Sequence, residues 1–419
     1  MDKSRLFAFY EKELKQNILS FWLPRCEDKA YGGFVNCYDN KGETLASYDK
    51  YTWSQGRFVW LFSYLAQTSV PIFTKEERAH FLALAKQGAE FLMKHCLLSE
   101  EDIRCTFLMN RDGSPKRVSP DAPLDMSIFA DCFVVLGLGT YASVSLDKNA
   151  YDFAKKLYES VLARVKAGDY NTLPYPLSKC FRAHSIPMIL DNTARELLRG
   201  AEKLDREYVP TLLRNMEESA KEVLDGFVDG DFALREVIHA DGRFLDRVLG
   251  QHINPGHTIE DCWFLLDAAA LTGHPEWKEK IGKIALRALE LGWDKDYGGL
   301  LHFAGLCGGE PQGSTQGIEN ETMLRQLSGW GDKLWWVHSE ACYTTLRCYK
   351  ELGDPVFLEW QEKVREYTFA TFPNPNRAVG EWLQIRSRDG RPEEKVVALP
   401  VKDPYHITRN LILILELLA

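Results

Sequence analysis

Residues 31–69 read YGGFVNCYDNKGETLASYDKYTWSQGRFVWLFSYLAQTS and contain the two patterns from which most of the chain is built. The first, at 31–42, is a short run of β-forming residues that leads into Asp, Asn and Gly, which is typical of a tight hairpin. The second, at 52–69, has apolar residues at helical spacing and predicts a helix with an apolar face. A hairpin followed by a helix is therefore the local structural unit.

Both patterns recur along the chain. Helical spacing of apolar residues predicts about twelve helices, at 3–23, 52–69, 75–97, 124–144, 148–167, 185–203, 208–225, 258–272, 276–292, 333–352, 355–372 and 404–419. Hairpins are predicted at 31–42, 103–113, 232–242 and 381–390, with a related glycine-rich stretch at 297–309. Paired helices with hairpins on their connections predict an all-α fold, an (α/α)6 barrel with short β-hairpins on the connecting loops. The whole chain, 1–419, then forms a single catalytic domain with a pocket at one face.

The composition excludes several classes of protein. The chain has 419 residues, 45% of them hydrophobic, and a formal net charge of −9 with acidic and basic residues interspersed, which argues against a nucleic-acid partner. The N-terminal stretch carries charges among its apolar residues, unlike a signal peptide, and no window is expected to be apolar enough to cross a membrane. Ten cysteines without a CxxC pair predict reduced thiols in a cytoplasmic protein, with neither a zinc site nor disulfides.

The stretch NPGHTIEDCWFLL, at 254–266, places a histidine where a turn meets an apolar helix. Thr258 and Asp261 have the spacing of a capping box, so His257 is expected just before or at the start of this helix. The positive end of the helix dipole disfavours imidazolium and keeps the neutral ring available as a base. Glu260 is expected to orient His257 or to bind a substrate hydroxyl. Taken alone, a histidine at the start of a helix is more often a structural residue than a functional one.

A second unusual run is KLWWVHSEACYTTL, at 333–346. On a helix, Trp336 and Glu340 share one side, with the ring of His338 nearby. A carboxylate among aromatic residues needs a positive neighbour, a histidine or a bound hydroxyl if it is buried. The alternative is an exposed helix face.

Two further candidates are His406 and Arg57. His406 follows a Pro-containing turn and begins the last apolar helix, so its local pattern is similar to that of His257. Arg57 stands in the predicted helix 52–69 among aromatic and apolar residues. Its guanidinium either faces a pocket or extends to the surface.

Aromatic residues make up 12% of the chain. Most tryptophans are expected in the core, but a few that face a pocket would suit a sugar, because their flat apolar faces stack on the C–H face of a pyranose ring. The composition permits a carbohydrate site without requiring one.

Taken together, TWSQGRFVWLF, NPGHTIEDCWFLLDAA, KLWWVHSEA, GEW and YHITRNL resemble the N-acylglucosamine 2-epimerase family, which includes the renin-binding proteins, in order and spacing across nearly the whole chain. The resemblance implies an (α/α)6 barrel and the interconversion of N-acetylglucosamine and N-acetylmannosamine. The motif WWVHSEA is more similar to the N-acylglucosamine branch than to the cellobiose 2-epimerases. Two departures are a long polar segment at 303–332 and a single histidine, His184, where cellobiose-type members carry a pair.

Epimerisation at C2 requires ring opening, removal of the proton next to the C1 aldehyde and its return to the opposite face. The resemblance implies that His257 and His406 are the two acid/bases, that Arg57 stabilises the enolate, and that Glu260 and Glu340 orient the histidines and bind hydroxyls. It implies the following substrate-binding residues: Tyr51, Trp53, His184, Trp336, His338 and Trp382. The expected substrate is a small monosaccharide. No metal or redox cofactor is required, and family members are often homodimers, some of them responsive to ATP.

Three alternatives remain open at this point. A mannose-type aldose–ketose isomerase, or a 2-epimerase of non-acylated sugars, would use the same residues on the same scaffold. A glycoside hydrolase on an (α/α)6 barrel would need two carboxylates as its main catalytic groups, whereas histidines dominate here. A binding or regulatory protein would have no reason to combine two histidines, an arginine and a glutamate in this way.

Overall fold

Long helices dominate residues 2–99 and 101–419, which are the residues that this computed structural model describes. In chain order the helices are α1 (Lys3–Lys12, continued by a π-helical turn at Glu13–Leu19), α2 (Ser20–Trp22), α3 (Thr52–Gln67), α4 (Lys75–His95), α5 (Ile128–Ser145), α6 (Lys148–Ala167), α7 (Ser185–Leu204), α8 (Val209–Lys221, continued by a π-helical segment at Glu222–Phe227), α9 (Pro255–Thr272), α10 (Trp277–Gly292), α11 (Met323–Leu327), α12 (Trp335–Leu352), α13 (Val356–Thr371) and α14 (Tyr405–Leu418). Each of the twelve predicted helical ranges overlaps one of these helices over most of its length, so the helical prediction is confirmed. The short α11 and a 3₁₀ turn at Val248–Gly250 were not predicted.

The strands are two or three residues long. They are β1 (Cys37–Tyr38), β2 (Leu45–Ser47), β3 (Lys50–Tyr51), β4 (Leu108–Met109), β5 (Pro115–Lys116), β6 (Phe181–Ala183), β7 (Val237–His239), β8 (His252–Ile253), β9 (Ala304–Gly305), β10 (Lys333–Leu334) and β11 (Ile385–Arg386). All pairs are antiparallel: β1 with β2, β3 with β4, β4 with β5, β6 with β7, β8 with β9 and β10 with β11.

In only two of the predicted hairpins do the two strands on either side of the turn pair with each other, β1 with β2 and β4 with β5. In the segments 232–242, 297–309 and 381–390 the turns form, but β7, β9 and β11 pair instead with strands far away in sequence. The prediction of a local hairpin was wrong at 232–242 and 297–309, because a strand of two or three residues is stabilised by whichever connection lies beside it. At 381–390 the turn also closes locally, through an antiparallel bridge between Arg386 and Pro392.

The chain divides into two compact units. The first comprises Met1–Pro174, Asn192–Asn215 and Ala398–Ala419, and the second comprises Tyr175–Asp191 and Met216–Val397. In the first unit α3 packs against α4 and α5, and α5 packs against α6. In the second unit α9 packs against α10 and α12, and α12 against α13. The single domain over 1–419 stays a prediction.

Two glycines allow α3 and α5 to touch backbone to backbone. A Cβ atom on Gly56 would lie 2.2 Å from the carbonyl oxygen of Phe133, and one on Gly137 would lie 2.4 Å from the carbonyl oxygen of Gly56. Helix α5 is buried and apolar on nearly every side. By length and composition alone it could cross a membrane, although 89% of that window lies inside the protein. The expectation that no window has this character was therefore wrong, because a fully buried core helix needs the same apolar composition.

In the second unit, part of the segment 303–332 belongs to the core. Ile318, Met323 and Leu327 are buried in one hydrophobic cluster with Phe303. Helix α11 carries two of these side chains, so the polar composition of the segment conceals an amphipathic turn. The loop is anchored by packing rather than left as an open rim.

Each unit contains a buried ion cluster at a Tyr-Gly-Gly turn. In the first unit Asp28, which precedes the turn, binds Lys50 at 3.2 Å and the Nε of Arg111 at 2.9 Å. In the second unit Asp294 binds Lys333 at 3.3 Å and the Nε of Arg388 at 2.9 Å.

The turns that carry these clusters are also alike. The glycine pairs 32–33 and 298–299 all have φ between 67° and 76°, a backbone conformation that favours glycine. The lysines lie directly before α3 and α12, in β3 and β10. The repeated letters DKAYGGF and DKDYGGL thus fix the entry to one long helix in each unit.

Candidate active site

The start of α9 sets the position of His257. Asn254 is the N-cap, and its side-chain oxygen accepts a hydrogen bond from the backbone N–H of His257 at 3.1 Å. Pro255 is the first helical residue, a position that suits its fixed φ and missing N–H. The predicted capping box of Thr258 and Asp261 is therefore wrong, because the Asn-Pro pair starts the helix three residues earlier.

His257 is the one residue between 252 and 269 that is not buried. Its Nδ1 lies 2.9 Å from Oε1 of Glu236. A carboxylate can only accept, so in the neutral ring Nδ1 carries the proton and Nε2 keeps a lone pair. Glu236 therefore orients His257, which was the role expected of Glu260. The sequence contained Glu236 within the predicted hairpin 232–242, but nothing local marked it as a partner of a residue 21 positions away.

His184 lies behind Glu236 rather than at the surface. Its Nε2 is 2.7 Å from Oδ2 of Asp261, and its Nδ1 is 3.7 Å from Oε2 of Glu236. Burial alone lowers the pKa of His184, but the hydrogen bond to Asp261 and the nearby carboxylate of Glu236 outweigh burial and raise the pKa to about 9. Burial raises the pKa of Glu236, but the charge and hydrogen bond of His257, together with the nearby ring of His184, hold that pKa well below its usual range. Because His184 is fully buried, this placement argues against its predicted contact with substrate.

Two aromatic rings flank His257. The ring of Trp336, the second residue of α12, lies 5.5 Å away at an angle of 38°, and the ring of Tyr175 lies 6.5 Å away edge-on. Trp336 is partly exposed, as a substrate-binding ring must be. Tyr175 stands between Pro174 and Pro176 and was not predicted.

The two predicted glutamates are both buried. Glu340 accepts a hydrogen bond from Nε1 of Trp263 at 3.0 Å. Glu260 stands on α9, one turn after His257, and is 6% exposed. Neither orients His257 through its Nδ1, so their roles towards a sugar stay predictions.

His338 and Trp382 are core residues in this structure. Nδ1 of His338 donates to the carbonyl oxygen of Leu334 at 2.7 Å, and its Nε2 accepts from the backbone N–H of Leu300 at 2.9 Å. Burial lowers the pKa of His338 to about 3. Trp382 is 1% exposed and packs against Phe372. Both placements argue against the predicted contacts with substrate.

In the first unit, His406 is the second residue of α14 and lies between two arginines. Its Nε2 is 3.2 Å from Nη2 of Arg57, and its Nδ1 is 3.3 Å from Nη2 of Arg409. Guanidinium groups can only donate, and a neutral imidazole has one accepting nitrogen. His406 can therefore accept from one of these arginines at a time.

Arg57 also binds Asp403 through Nη1. Its guanidinium lies over the rings of Trp53, Phe133 and Tyr405, at 5.1, 4.2 and 4.9 Å. It is therefore held by an ion pair and by ring faces rather than extended along the surface. Asp403 was not predicted, although an Asp-Pro pair before a helix is a turn signal.

The aromatic residues near Arg57 differ in exposure. Within 51–65, only Trp53 and Arg57 are not buried, and their spacing of four places them on one face of α3. Tyr51 is 7% exposed and packs edge-on against Phe107. The open face of α3 thus contains two of the predicted residues, while Tyr51 lies beneath it.

Comparison with known proteins gives these residues a context. The chain matches the family described as N-acylglucosamine 2-epimerase (GlcNAc 2-epimerase) over residues 32–409. The chain belongs to the N-acylglucosamine 2-epimerase family. A relative named N-acylglucosamine 2-epimerase, from Bos taurus, is 31% identical over 96% of this chain and 88% of its own length.

Solved structures identify the fold. A cellobiose 2-epimerase from Bacillus thermoamylovorans B4167 superimposes with a TM-score of 0.77, at 19% identity, over 99% of both chains. A D-mannose isomerase gives a TM-score of 0.75, at 17% identity, over 98% of this chain and 97% of its own. The fold is that of the cellobiose 2-epimerases, an (α/α)6 barrel. By family and relatives the protein is a carbohydrate epimerase of the isomerase class, a sugar 2-epimerase.

Proposed function

We propose that the protein interconverts N-acetylglucosamine and N-acetylmannosamine by removing and returning the proton at C2 of the open-chain sugar. The observation that carries the proposal is the pairing of His257 Nδ1 with Glu236 at 2.9 Å, on the one residue between 252 and 269 that is not buried. A ring held in this way presents Nε2 as a base. Relatives named N-acylglucosamine 2-epimerase are about 30% identical to this chain, which supports the choice of an N-acylated sugar.

The reaction begins with the aldehyde at C1, which makes the neighbouring C2 proton acidic. In the proposal, Nε2 of His257 takes that proton, and the imidazolium that forms is stabilised by the carboxylate of Glu236. The electron pair moves onto the C1 oxygen and gives an enolate, for which Arg57 provides a positive donor. His406, which must be imidazolium in this direction, then donates a proton to C2 from the other side and becomes neutral, and the aldehyde is restored. Both histidines return to their starting states by proton exchange with solvent. The reverse direction exchanges the roles of the two histidines.

Proton NMR in D2O tests this function directly. The purified protein is incubated separately with N-acetylmannosamine, mannose and glucose, and both the anomeric signals and the C2 proton are followed. N-acetylglucosamine that carries deuterium at C2 is the expected product. Fructose from mannose, with the N-acetyl sugar unchanged, would make the protein an aldose–ketose isomerase instead. The same experiment would detect a 2-epimerase of non-acylated sugars as conversion between mannose and glucose.

The proposal also covers the cofactor requirement, the oligomeric state and the cellular location of the enzyme. We expect activity without added metal or redox cofactor, and activation by ATP follows only from the family resemblance. We expect a homodimer in the cytoplasm, which light scattering on the purified protein and cell fractionation would test. Activity that disappears on dialysis against a chelator and returns with a metal would contradict the cofactor expectation.

A further inference from the structure

Behind His257 the second unit contains a row of alternating acidic and imidazole side chains. In order they are His257, Glu236, His184 and Asp261, with atom separations of 2.9, 3.7 and 2.7 Å between successive pairs. His184 and Asp261 have no exposed side-chain surface, and the side chain of Glu236 is 6% exposed. The proposed reaction uses only the first two residues of this row, His257 and Glu236.

We propose that Glu236, His184 and Asp261 are positioning residues that together hold His257 in the tautomer with its proton on Nδ1. This inference rests on the proposed function for its kinetic consequences but not for its structural ones. Glu236 makes the direct contact, and His184, charged between two carboxylates, keeps Glu236 ionised. Asp261 fixes the orientation of the His184 ring through Nε2.

The charges of the row explain why all three residues are needed. A buried carboxylate without a cation takes up a proton, because ionised groups are costly to bury. Glu236 and Asp261 are two such carboxylates, and His184 lies between them. With His184 charged, both carboxylates remain ionised, and Glu236 can accept the Nδ1 proton of His257. Without that cation, a protonated Glu236 could donate instead and favour the opposite tautomer of His257.

A metal ion is the rival occupant of the same residues. His184, Glu236 and His257 present ligand atoms that all lie within 4.8 Å of one another. However, separations of 2.9 and 2.7 Å at the two ends of the row are hydrogen-bond distances, so a shared proton accounts for each contact. The observations therefore favour a proton-linked row, and the metal becomes an outcome of the test.

The first experiment needs no substrate. Long-range proton–nitrogen NMR of the full-length protein, labelled with ¹⁵N-histidine, reports which ring nitrogens carry protons. At pH 7.5 we expect His257 protonated on Nδ1 only and His184 on both nitrogens. In E236L, His257 is expected to change to the Nε2–H form that an unrestrained imidazole prefers. An unchanged His257 tautomer in E236L, or one equivalent of zinc in the wild-type protein that E236L lacks, would overturn the proposal.

The second experiment separates the effect of removing the charge of Glu236 from the effect of changing its side-chain volume. Leucine keeps the volume of Glu236 better than aspartate does, whereas aspartate keeps the charge. We expect kcat for the proposed epimerisation to fall about 10²-fold in E236L, with less than about a threefold change in KM, and to recover in part in E236D. A purely structural role would give the opposite order, with E236L the more active variant, and would contradict the proposal.

The third experiment tests whether the row acts as one unit. If His184 acts through Glu236, the double variant H184N/E236L loses no more activity than E236L alone. Losses that multiply would show independent roles and would overturn the linked row. If the wild type is inactive on these sugars, the NMR result still decides the row, so failure of the proposed function is distinguishable from failure of this inference.

Discussion

The starts of α9 and α14 are alike in sequence and opposite in chemistry. Each has a proline at its start, as the first helical residue of α9 and as the N-cap of α14, and each places a histidine in its first helical turn. The ring of His257 meets the carboxylate of Glu236, whereas the ring of His406 meets the guanidinium groups of Arg57 and Arg409. A carboxylate accepts the ring proton, but an arginine can only donate to the ring.

The difference shows which interaction decides the role of each histidine. The helix dipole acts on both rings in the same sense and contributes about 0.3–1 kcal/mol at such a position. A hydrogen bond to a charged group contributes about 1.5–3 kcal/mol. The charged partner therefore dominates, and it differs between the two helices. In the proposed mechanism His257 is assisted as a base and His406 as a proton donor.

The strongest test of this comparison replaces each histidine by asparagine. Both H257N and H406N are expected to lose epimerisation by about 10³-fold, because each removes one acid/base group. Each variant should still exchange the C2 proton of one sugar for deuterium, since the remaining histidine serves one face. NMR in D2O with each N-acetyl sugar alone measures both rates.

The asymmetry is the informative result. H257N and H406N should retain exchange in different sugars, one in N-acetylglucosamine and the other in N-acetylmannosamine. Exchange in the same sugar for both variants, or full epimerisation in either one, would break the two-base comparison. Circular dichroism of the variants controls for folding.

The arginines of His406 provide the next test. Lysine keeps the charge but loses the planar fork and the ring stacking of Arg57, so R57K should lower kcat/KM about 10²-fold. R409K should lower kcat/KM only about tenfold, because Arg409 is 1% exposed and reaches His406 and Tyr405 from the core side. Steady-state kinetics of the two variants, side by side, measure the difference. A larger loss in R409K would mean that the inner arginine is the functional one.

The carboxylate side of the comparison predicts a dependence of stability on pH. The pKa of His184 is raised from 6.5 to about 9 by Asp261 and Glu236, the acidic groups that face it, despite burial. A raised histidine pKa contributes stability that is fully present below about pH 6.5 and is lost as the pH rises through 9. The contribution is about 3 kcal/mol. Urea unfolding should show the wild type losing its advantage over H184N between pH 6 and pH 9.5, and an advantage that grows with pH would contradict this.

Most of the fold could be predicted because helices depend on local spacing. The apolar period located all twelve helical ranges, and the repeated Tyr-Gly-Gly turns located two of the connections. Strand pairing could not be predicted, since β7, β9 and β11 each pair with a segment at least 50 residues away. A strand of three residues or fewer is too short for its hydrophobic pattern to specify its partner or the register of pairing.

In the candidate site, too, the residues marked by a local pattern could be predicted, whereas their partners could not. Helix-start patterns identified His257 and His406, and the aromatic surroundings identified Arg57. The partners that set their chemistry are distant in sequence, because Glu236 lies 21 positions from His257 and Asp403 lies 346 positions from Arg57. No spacing rule connects either pair. His184 was predicted, but for contact with substrate rather than for its buried place between carboxylates.

A smaller effect is expected from the ring beside His257. Trp336 is partly exposed and lies 5.5 Å from His257, so W336F should raise KM about fivefold, as expected for about 1 kcal/mol of lost ring contact, with little change in kcat. W382F is the matched control, because that ring is 1% exposed and should leave KM unchanged. Equal effects of the two substitutions would show that the increase in KM comes from packing rather than from substrate contact.

The smallest effect on catalysis is expected from the third histidine near a helix start, His338 of α12. Both of its ring nitrogens are bound by backbone groups, of Leu334 and Leu300, and its lowered pKa keeps it neutral. H338N leaves one or both of those buried groups without a partner, which should cost about 2 kcal/mol of unfolding free energy. The folded variant should keep the wild-type KM and the same proton exchange in both sugars. A loss of proton exchange in H338N at an unchanged melting temperature would contradict this. A histidine bound only by backbone groups would then be as important for catalysis as one bound by a charged side chain, and the hydrogen-bond partner would not explain the role of each histidine.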